Sequence, residues 1–413
     1  MKKAILFLLC SSLLMLNACS GTEKTSSAVI PETSVTETEP ESETAIIEKE
    51  KSIFDGYVSN TVVSTGNNYM TDARNGVTFR TYFPVEEAGT LEYQFYFSNT
   101  VDSTWERGRY SYVNKSGGEY QILGAHVWTA SSADSDDDSE PIEITFSGST
   151  EKTVSPDETF WSDTVIIDVP EDSCLVWEWT LEGTDIPCTR MTELAYSCTV
   201  SDDDSLVYNM DVPCPQFIGV KRDVKQNLVC FGDSITQGAQ TSPFMLNFWV
   251  SDIFRNLGSE YAVWNVGLGY ARSSDAVISN DWLKRAKSGD IVTLAFGTND
   301  LVVGQYGQRN SSSAEEIENW LRTLIQELQS AGCQVILFNL PPFDFSEETE
   351  AIRTEVNTKI PIIAEETGCR FFDWNALLSN PEQPSAALYG GHPNDEGCQI
   401  IADEFMKQFA DMF

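Results

Sequence analysis

Five short apolar runs in the second half of this 413-residue chain alternate with longer stretches of helical periodicity. The runs lie at residues 228–231, 263–266, 291–296, 335–340 and 370–373. Such alternation is typical of a parallel sheet whose strands are joined by helices. The pattern predicts an α/β fold with a flavodoxin-like doubly wound parallel sheet. Its clearest helix is expected to begin at Ser313, where Ser-Ala-Glu-Glu is a capping-box pattern.

A serine follows the first of these runs. The motif Gly-Asp-Ser-Ile-Thr at residues 232–236 places Ser234 where a buried strand ends. Open α/β sheets bind their substrates beyond the carboxyl ends of their strands. A serine hydroxyl that attacks a carbonyl needs a base for its proton and donors for the oxyanion. Ser234 is therefore the candidate nucleophile.

The chain has two histidines, and only His392 lies in the same half as Ser234. Gly-His-Pro-Asn at residues 391–394 indicates a loop, with Asn394 suited to cap a final helix. His392 is the candidate general base. His126 lies in the first half, and we interpret it as a structural or exposed residue.

Two further motifs follow predicted strands and can supply oxyanion donors. Gly-Thr-Asn-Asp at residues 297–300 contains Asn299, whose side chain carries N–H groups. Asn-Val-Gly-Leu-Gly-Tyr at residues 265–270 contains glycines, which let the backbone approach a ligand closely.

Taken in order, these motifs resemble those of the SGNH/GDSL hydrolases, a family of esterases and lipases, from about residue 227 to residue 413. The resemblance implies that Ser234 is the nucleophile and His392 the base. It also implies an oxyanion hole made by the Ser234 N–H, a backbone N–H of the second motif and the Asn299 side chain. The family often has Asn-x-Gly-x-x-Gly, whereas residues 265–270 read Asn-Val-Gly-Leu-Gly-Tyr. Aligned without a gap, the donor is the Tyr270 N–H, and with a one-residue deletion it is the Gly269 N–H, which we favour.

One position departs from the family pattern. The family usually has Asp three residues before the histidine, and this chain has Tyr389 there. The acid orients the imidazole rather than taking its proton, so a backbone carbonyl can substitute with some loss of rate. Some two-domain acetylxylan esterases of this family work with such a Ser-His dyad, which the resemblance implies here. Asp373 and Asp395 are weaker candidates for a displaced acid.

The amino terminus resembles a bacterial lipoprotein signal, residues 1–19. Two lysines precede an apolar stretch at residues 4–16, and a lipobox-like Leu-Asn-Ala-Cys ends at Cys19. Cys19 is expected to carry a lipid that anchors the protein at the extracellular face of the bacterial membrane. A plain signal peptide or an uncleaved anchor is the alternative. Residues 20–52 are rich in Ser, Thr, Glu and Pro, and are expected to form a disordered tether.

Residues 53–222 contain many short runs of alternating Thr, Val, Tyr, Phe and Trp. This pattern predicts an all-β sandwich of jelly-roll type, an accessory domain ahead of a catalytic domain at residues 223–413. Trp161, Trp177 and Trp179 are candidates for stacking on sugar rings, although alternating tryptophans more often belong to the core.

Composition limits the partners and cofactors. The formal net charge of -37 argues against nucleic acid and anionic membrane surfaces. The acidic run at residues 134–138 lacks the glycine and glutamate of an EF-hand, and no zinc-like spacing occurs. We therefore expect no metal and no cofactor.

In an exported protein the cysteines at 174, 188, 198 and 214 could form disulfides, whereas those at 230, 333, 369 and 398 are expected to be buried thiols.

These features predict a secreted serine esterase that removes small acyl groups from carbohydrate through an acyl-enzyme. Its partners would be acetylated polysaccharide or small esters, and the acetyl preference follows from the resemblance alone. One alternative is a lipase, lysophospholipase or arylesterase on the same scaffold. The other is a non-catalytic glycan-binding surface lipoprotein.

Overall fold

The computed structural model describes residues 52–106, 110–133, 135, 138–190, 194–305 and 310–413. The predicted signal with Cys19, the predicted tether up to residue 51, and most of the acidic run lie outside the described residues. The described residues form one compact unit. In the part of the chain that is described, no helix is long and apolar enough to cross a membrane.

Strands dominate the first half of the described chain. They are β1 (Val58–Ser59), β2 (Tyr69–Pro84), β3 (Gly89–Ser98), β4 (Thr100–Glu106), β5 (Tyr110–Ser116), β6 (Tyr120–Ala130), β7 (Ile142–Glu143), β8 (Lys152–Val154), β9 (Thr159–Trp161), β10 (Val165–Val169), β11 (Cys174–Arg190), β12 (Tyr196–Val200), β13 (Leu206–Tyr208), β14 (Asp211–Val212) and β15 (Phe217–Val220).

Strands and helices alternate in the second half. They are β16 (Asn227–Gly232), α1 (Ser234–Gln237), α2 (Trp249–Leu257), β17 (Ala262–Asn265), α3 (Ser273–Ile278), α4 (Asp281–Ala286), β18 (Ile291–Ala295), α5 (Thr298–Gln305), α6 (Ala314–Ser330), β19 (Gln334–Phe338), α7 (Glu347–Thr367), β20 (Arg370–Phe372), α8 (Trp374–Leu378), β21 (Ser379–Asn380), β22 (Gln383–Ala387) and α9 (Asp395–Gln408).

The first fifteen strands form two large antiparallel sheets and a hairpin. One sheet has the order β1-β15-β3-β10, with β9 also paired to β3. The other has the order β13-β12-β2-β11-β6-β7, with β14 paired to β11 and β8 to β6. Strands β4 and β5 form the hairpin. The Phe95 and Phe97 rings of β3 lie 4.7 and 5.2 Å from the Trp177 and Trp179 rings of β11, so aromatic side chains from both sheets share one core.

The second half contains a five-stranded parallel sheet of order β17-β16-β18-β19-β20. The predicted apolar runs match these strands to within two residues at each end. Successive side chains of a strand point to opposite faces. On β16, Cys230 belongs to the core cluster that contains Trp249 of α2 and Phe405 of α9. Phe231 belongs to the cluster on the other side, 4.7 Å from the Trp282 ring of α4. Helices therefore cover both faces of the sheet.

Both predicted helix starts are confirmed. The Ser313 hydroxyl accepts a hydrogen bond from the Glu316 N–H at 3.2 Å, and the Glu316 carboxylate accepts one from the Ser313 N–H at 2.8 Å, which completes the capping box of α6. The Asn394 side chain accepts a hydrogen bond from the Gly397 N–H at 3.0 Å and caps α9. The second cap places α9 directly after His392.

The structure decides two points that the sequence left open in the first half. Trp177 and Trp179 are only 1% and 2% exposed, because they fill the core between the antiparallel sheets, so they cannot stack on a sugar. Trp161 packs its ring 5.1 Å from Tyr96. None of the possible disulfides forms, since all eight cysteines of the described residues are free thiols. Among the described strand pairs, Cys198 lies opposite Arg80 and Tyr208, and no two cysteines lie opposite each other.

The antiparallel strands pack on the helices of the second half through buried polar contacts. Arg285 of α4 is 1% exposed and forms an ion pair with Asp102 of β4. Asp281 lies 3.3 Å from the same guanidinium and accepts a hydrogen bond from the Tyr96 hydroxyl at 2.5 Å. These contacts hold β3 and β4 against α4, and β4 carries part of the site described below.

Candidate active site

Ser234 and His392 lie in direct contact. Ser234 is the first residue of α1, just after β16, and the Asp233 carboxylate caps this helix by accepting the Ile235 N–H at 3.0 Å. The Ser234 Oγ lies 2.8 Å from the His392 Nε2. The loop that carries His392 turns at Gly390, whose φ of 93° favours glycine. The sequence places these two residues 158 positions apart, and the fold brings them within hydrogen-bond distance.

The imidazole of His392 is half-buried and lies beside an aromatic ring. The Phe343 ring meets it edge to face, with a centroid distance of 5.3 Å. Burial lowers the pKa of His392 from its ordinary 6.5 to about 4, because the charged imidazolium would lose its hydration there. The imidazole is therefore neutral at pH 7 and can accept a proton from Ser234.

Neither candidate for a displaced acid lies against this imidazole. Asp373 caps α8 and accepts a hydrogen bond from the Asn339 side chain at 2.7 Å. Asp395 accepts hydrogen bonds from the Ser242 N–H at 2.7 Å and the Asn247 side chain at 2.9 Å. Among the described residues, no carboxylate forms a hydrogen bond or ion pair with His392.

The predicted oxyanion donors lie around the same cavity as Ser234. Asn299 donates one side-chain N–H to the Ala271 carbonyl at 2.9 Å, which leaves its second N–H for a ligand. Gly269 and Tyr270 form the turn after β17, and Tyr270 has a left-handed φ of 64°. Within the described residues, the backbone N–H groups of Ser234, Gly269 and Tyr270 donate no hydrogen bond. The structure thus leaves both Gly269 and Tyr270 as possible donors.

The cavity has a volume of about 520 Å³, within the range of roughly 300–1,000 Å³ usual for small-molecule sites. The antiparallel strands contribute part of its wall, which includes Asn68, Trp105, Arg190 and Met210. The sequence analysis missed all four residues. Nothing in their local sequence marks them, because only the packing of β4 and β11 on the second half brings them to Ser234.

Two of these wall residues are held firmly. Trp105 is 3% exposed and packs with Val302 and Val303 of α5. The Arg190 guanidinium donates to both oxygens of Asp211 at 2.8 and 3.0 Å.

In the described part of the chain, no cluster of three or more His, Cys, Asp or Glu side chains could hold a metal ion.

Comparison with known proteins assigns this half of the chain. Residues 230–400 match the GDSL-like Lipase/Acylhydrolase family. No curated protein matches the chain. Solved structures that match part of the chain include a member of the lipolytic protein G-D-S-L family from Veillonella parvula DSM 2008, at 19% identity and a TM-score of 0.36. It covers 45% of this chain and 98% of its own.

Two further solved structures are similar over the same share of the chain. A catalytic mutant of Axe2, an acetylxylan esterase from Geobacillus stearothermophilus, has 22% identity and a TM-score of 0.37, and covers 45% of this chain and 95% of its own. The aryl esterase of M. Smegmatis has 18% identity and a TM-score of 0.37, and covers 46% of this chain and 100% of its own.

The class of protein follows from the matched domain. Residues 230–400 form a domain of the GDSL-like lipase/acylhydrolase family, as the motifs around Ser234 and His392 predicted. The protein is accordingly a hydrolase of ester bonds.

Proposed function

We propose that the protein is a serine esterase that transfers small acyl groups to Ser234 and then to water. The observation that carries the proposal is the 2.8 Å contact between the Ser234 Oγ and the His392 Nε2 inside the cavity. A nucleophile within hydrogen-bond distance of a neutral base is the arrangement that acyl transfer needs.

The reaction follows from the positions of these groups. His392 takes the Ser234 proton as the Oγ attacks the ester carbonyl. The oxyanion is held by the Ser234 N–H, the Asn299 side chain, and the N–H of Gly269 or Tyr270. The imidazolium then gives its proton to the leaving alcohol, and water repeats the sequence on the acyl-enzyme. Because no described carboxylate lies beside His392, we assign this chemistry to a Ser-His dyad.

We interpret the strand order of the parallel sheet as a flavodoxin-like doubly wound fold, since β16 to β20 follow the spatial order 2-1-3-4-5. The two antiparallel sheets with their shared aromatic core fit a jelly-roll-like sandwich. The proposed boundary at residues 222–223 falls between β15 and β16.

Export and lipid attachment at Cys19 remain part of the proposal and depend on the sequence of residues 1–19.

Acetylated carbohydrate is the proposed substrate. Polar side chains of Asn68, Arg190 and Gln237 line the cavity together with the aromatic rings of Trp105 and Tyr270. Sugars present hydroxyl groups and apolar ring faces, so this mixed wall suits them better than a long acyl chain, which would need a continuous apolar channel. The formal net charge of -37 also favours a neutral substrate over an anionic one.

The rate of acetate release from acetylated xylo-oligosaccharides, measured beside a series of p-nitrophenyl esters of increasing chain length, tests this function. We expect hydrolysis of the oligosaccharide and a kcat/KM that falls as the acyl chain lengthens. A preference for long acyl chains would identify a lipase instead. Oligosaccharide binding that is equal in wild type and Ser234→Ala, with no acetate released, would identify a glycan-binding protein.

A further inference from the structure

Two side-chain amides in the cavity lie beside the turn that carries an oxyanion donor. Asn68 precedes β2, and Gln237 is the last residue of α1, which begins with Ser234. A Cβ atom placed on Gly269 would lie 2.9 Å from the Gln237 Oε1 and 3.4 Å from the Asn68 Nδ2. Both amides also line the same cavity as Ser234 and His392.

The backbone of Arg190 fixes the orientation of both amides. Its N–H donates to the Asn68 Oδ1 at 3.0 Å. Its carbonyl accepts a hydrogen bond from the Gln237 Nε2 at 3.0 Å. The backbone therefore binds the oxygen of one amide and the nitrogen of the other, which leaves a donor on Asn68 and an acceptor on Gln237.

These remaining atoms are buried and unpaired. Asn68 is 1% exposed and Gln237 is 0% exposed. Within the described residues, the Asn68 Nδ2 and the Gln237 Oε1 have no hydrogen-bond partner. Buried polar atoms in native proteins almost always have a partner, so this donor and acceptor call for a polar ligand group.

We propose that Asn68 and Gln237 form a subsite that binds a hydroxyl group on the alcohol part of the ester. A hydroxyl both accepts and donates hydrogen bonds, so it can pair with the Asn68 donor and the Gln237 acceptor at once. An acetyl group carries no hydroxyl, which assigns the contact to the alcohol side. The inference rests on the ester hydrolysis proposed at Ser234 and adds that Asn68 and Gln237 select polyhydroxylated substrates.

A pair of small esters tests this subsite without any glycan. Glycerol 1-acetate and propyl acetate have the same acyl group and the same carbon chain, and only the first carries free hydroxyls. We expect the wild-type protein to favour glycerol 1-acetate by about tenfold in kcat/KM, the effect of one or two neutral hydrogen bonds. Asn68→Asp keeps the oxygen that accepts from Arg190 and removes the donor, and Gln237→Met removes the acceptor.

Each variant is expected to reduce the ratio of the two kcat/KM values to about twofold or less. Asn68→Ala repeats the test without a buried charge, and far-UV circular dichroism establishes folding. Gln121→Ala is the matched control, because this amide is exposed on β6 and outside the cavity. It should keep the wild-type preference.

The possible failures are distinct. A wild-type protein that hydrolyses both esters with no preference would overturn the subsite alone, and this readout does not depend on the folding of any variant. An unchanged preference for glycerol 1-acetate in folded variants would also overturn the subsite. So would equal losses of kcat/KM on both esters, because the two amides would then only support the Gly269 turn. A wild-type protein inactive on both esters would refute the proposed function together with the subsite.

Discussion

The environment of His392 determines the acid side of the expected pH profile. Burial without a neighbouring described carboxylate lowers its pKa to about 4, below the ordinary 6.5. The neutral form that accepts the Ser234 proton therefore persists from neutral pH down to about that value. We expect kcat/KM for p-nitrophenyl acetate to stay flat below neutral pH and to fall as the pH passes through about 4. An acid limb near 6.5 would contradict this account.

Phe343 is expected to maintain that low pKa, because its ring covers the imidazole at 5.3 Å. In Phe343→Ala, water should reach His392 and raise its pKa, so the acid limb of the kcat/KM profile should move towards 6.5. Phe345→Ala is the control, since its ring lies 5.5 Å from Phe343 and makes no ring contact with His392. A loss of rate in Phe343→Ala without any shift of the limb would leave Phe343 with a purely structural role.

The proximity of Ser234 and His392 could be predicted from sequence because each lies in a short motif after a strand or before a helix. The fold places Ser234 and His392 in contact, as the motifs implied. Phe343 and Asn68 could not be predicted, because their role depends on which side chains they touch, and those contacts are long-range. The choice between Gly269 and Tyr270 also stays open, since both N–H groups are free in the described structure.

Helix α9 begins three residues after His392. The Asn394 side chain caps it through the Gly397 N–H. Asn394→Ala should lower the free energy of unfolding by about 1 kcal/mol, because that N–H loses its acceptor. Asn394→Ser should keep most of the stability. Urea unfolding followed by circular dichroism measures both, and equal midpoints for the two variants would argue against the cap.

The elements of the second half could be predicted well because their signals are local. Apolar runs and the capping box at Ser313 depend on neighbouring residues only. The burial of the β11 tryptophans could not be predicted in the same way, because an alternating pattern indicates a strand but does not show which of its faces is buried. The sequence left the state of the cysteines open for a similar reason, since disulfide pairing depends on the register between strands that are distant in sequence.

For the whole molecule, the buried ion pairs of Arg285 connect the antiparallel strands to the second half. Arg285→Met leaves the carboxylates of Asp102 and Asp281 buried without their cation, and should cost about 3–5 kcal/mol in the free energy of unfolding. Arg370→Met removes an exposed ion pair with Asp411 and should change stability little. Equal denaturation midpoints for the two variants would show that the Arg285 contacts do not stabilise the packing.

The same packing explains why part of the cavity wall could not be predicted from the sequence. Trp105 reaches the site only because β4 packs against α5, and Arg190 only because β11 ends there. Each sequence motif lies within one half of the chain. The proposed specificity for hydroxylated substrates depends on contacts between the two halves, which no single motif can indicate.

The initial rate of p-nitrophenyl acetate hydrolysis by wild type, Ser234→Ala and His392→Ala tests the central claim most directly. If Ser234 is the nucleophile and His392 its base, both folded variants should lose activity by about a thousandfold or more. Wild-type rates in either folded variant, or a wild type no faster than the variants, would contradict the account.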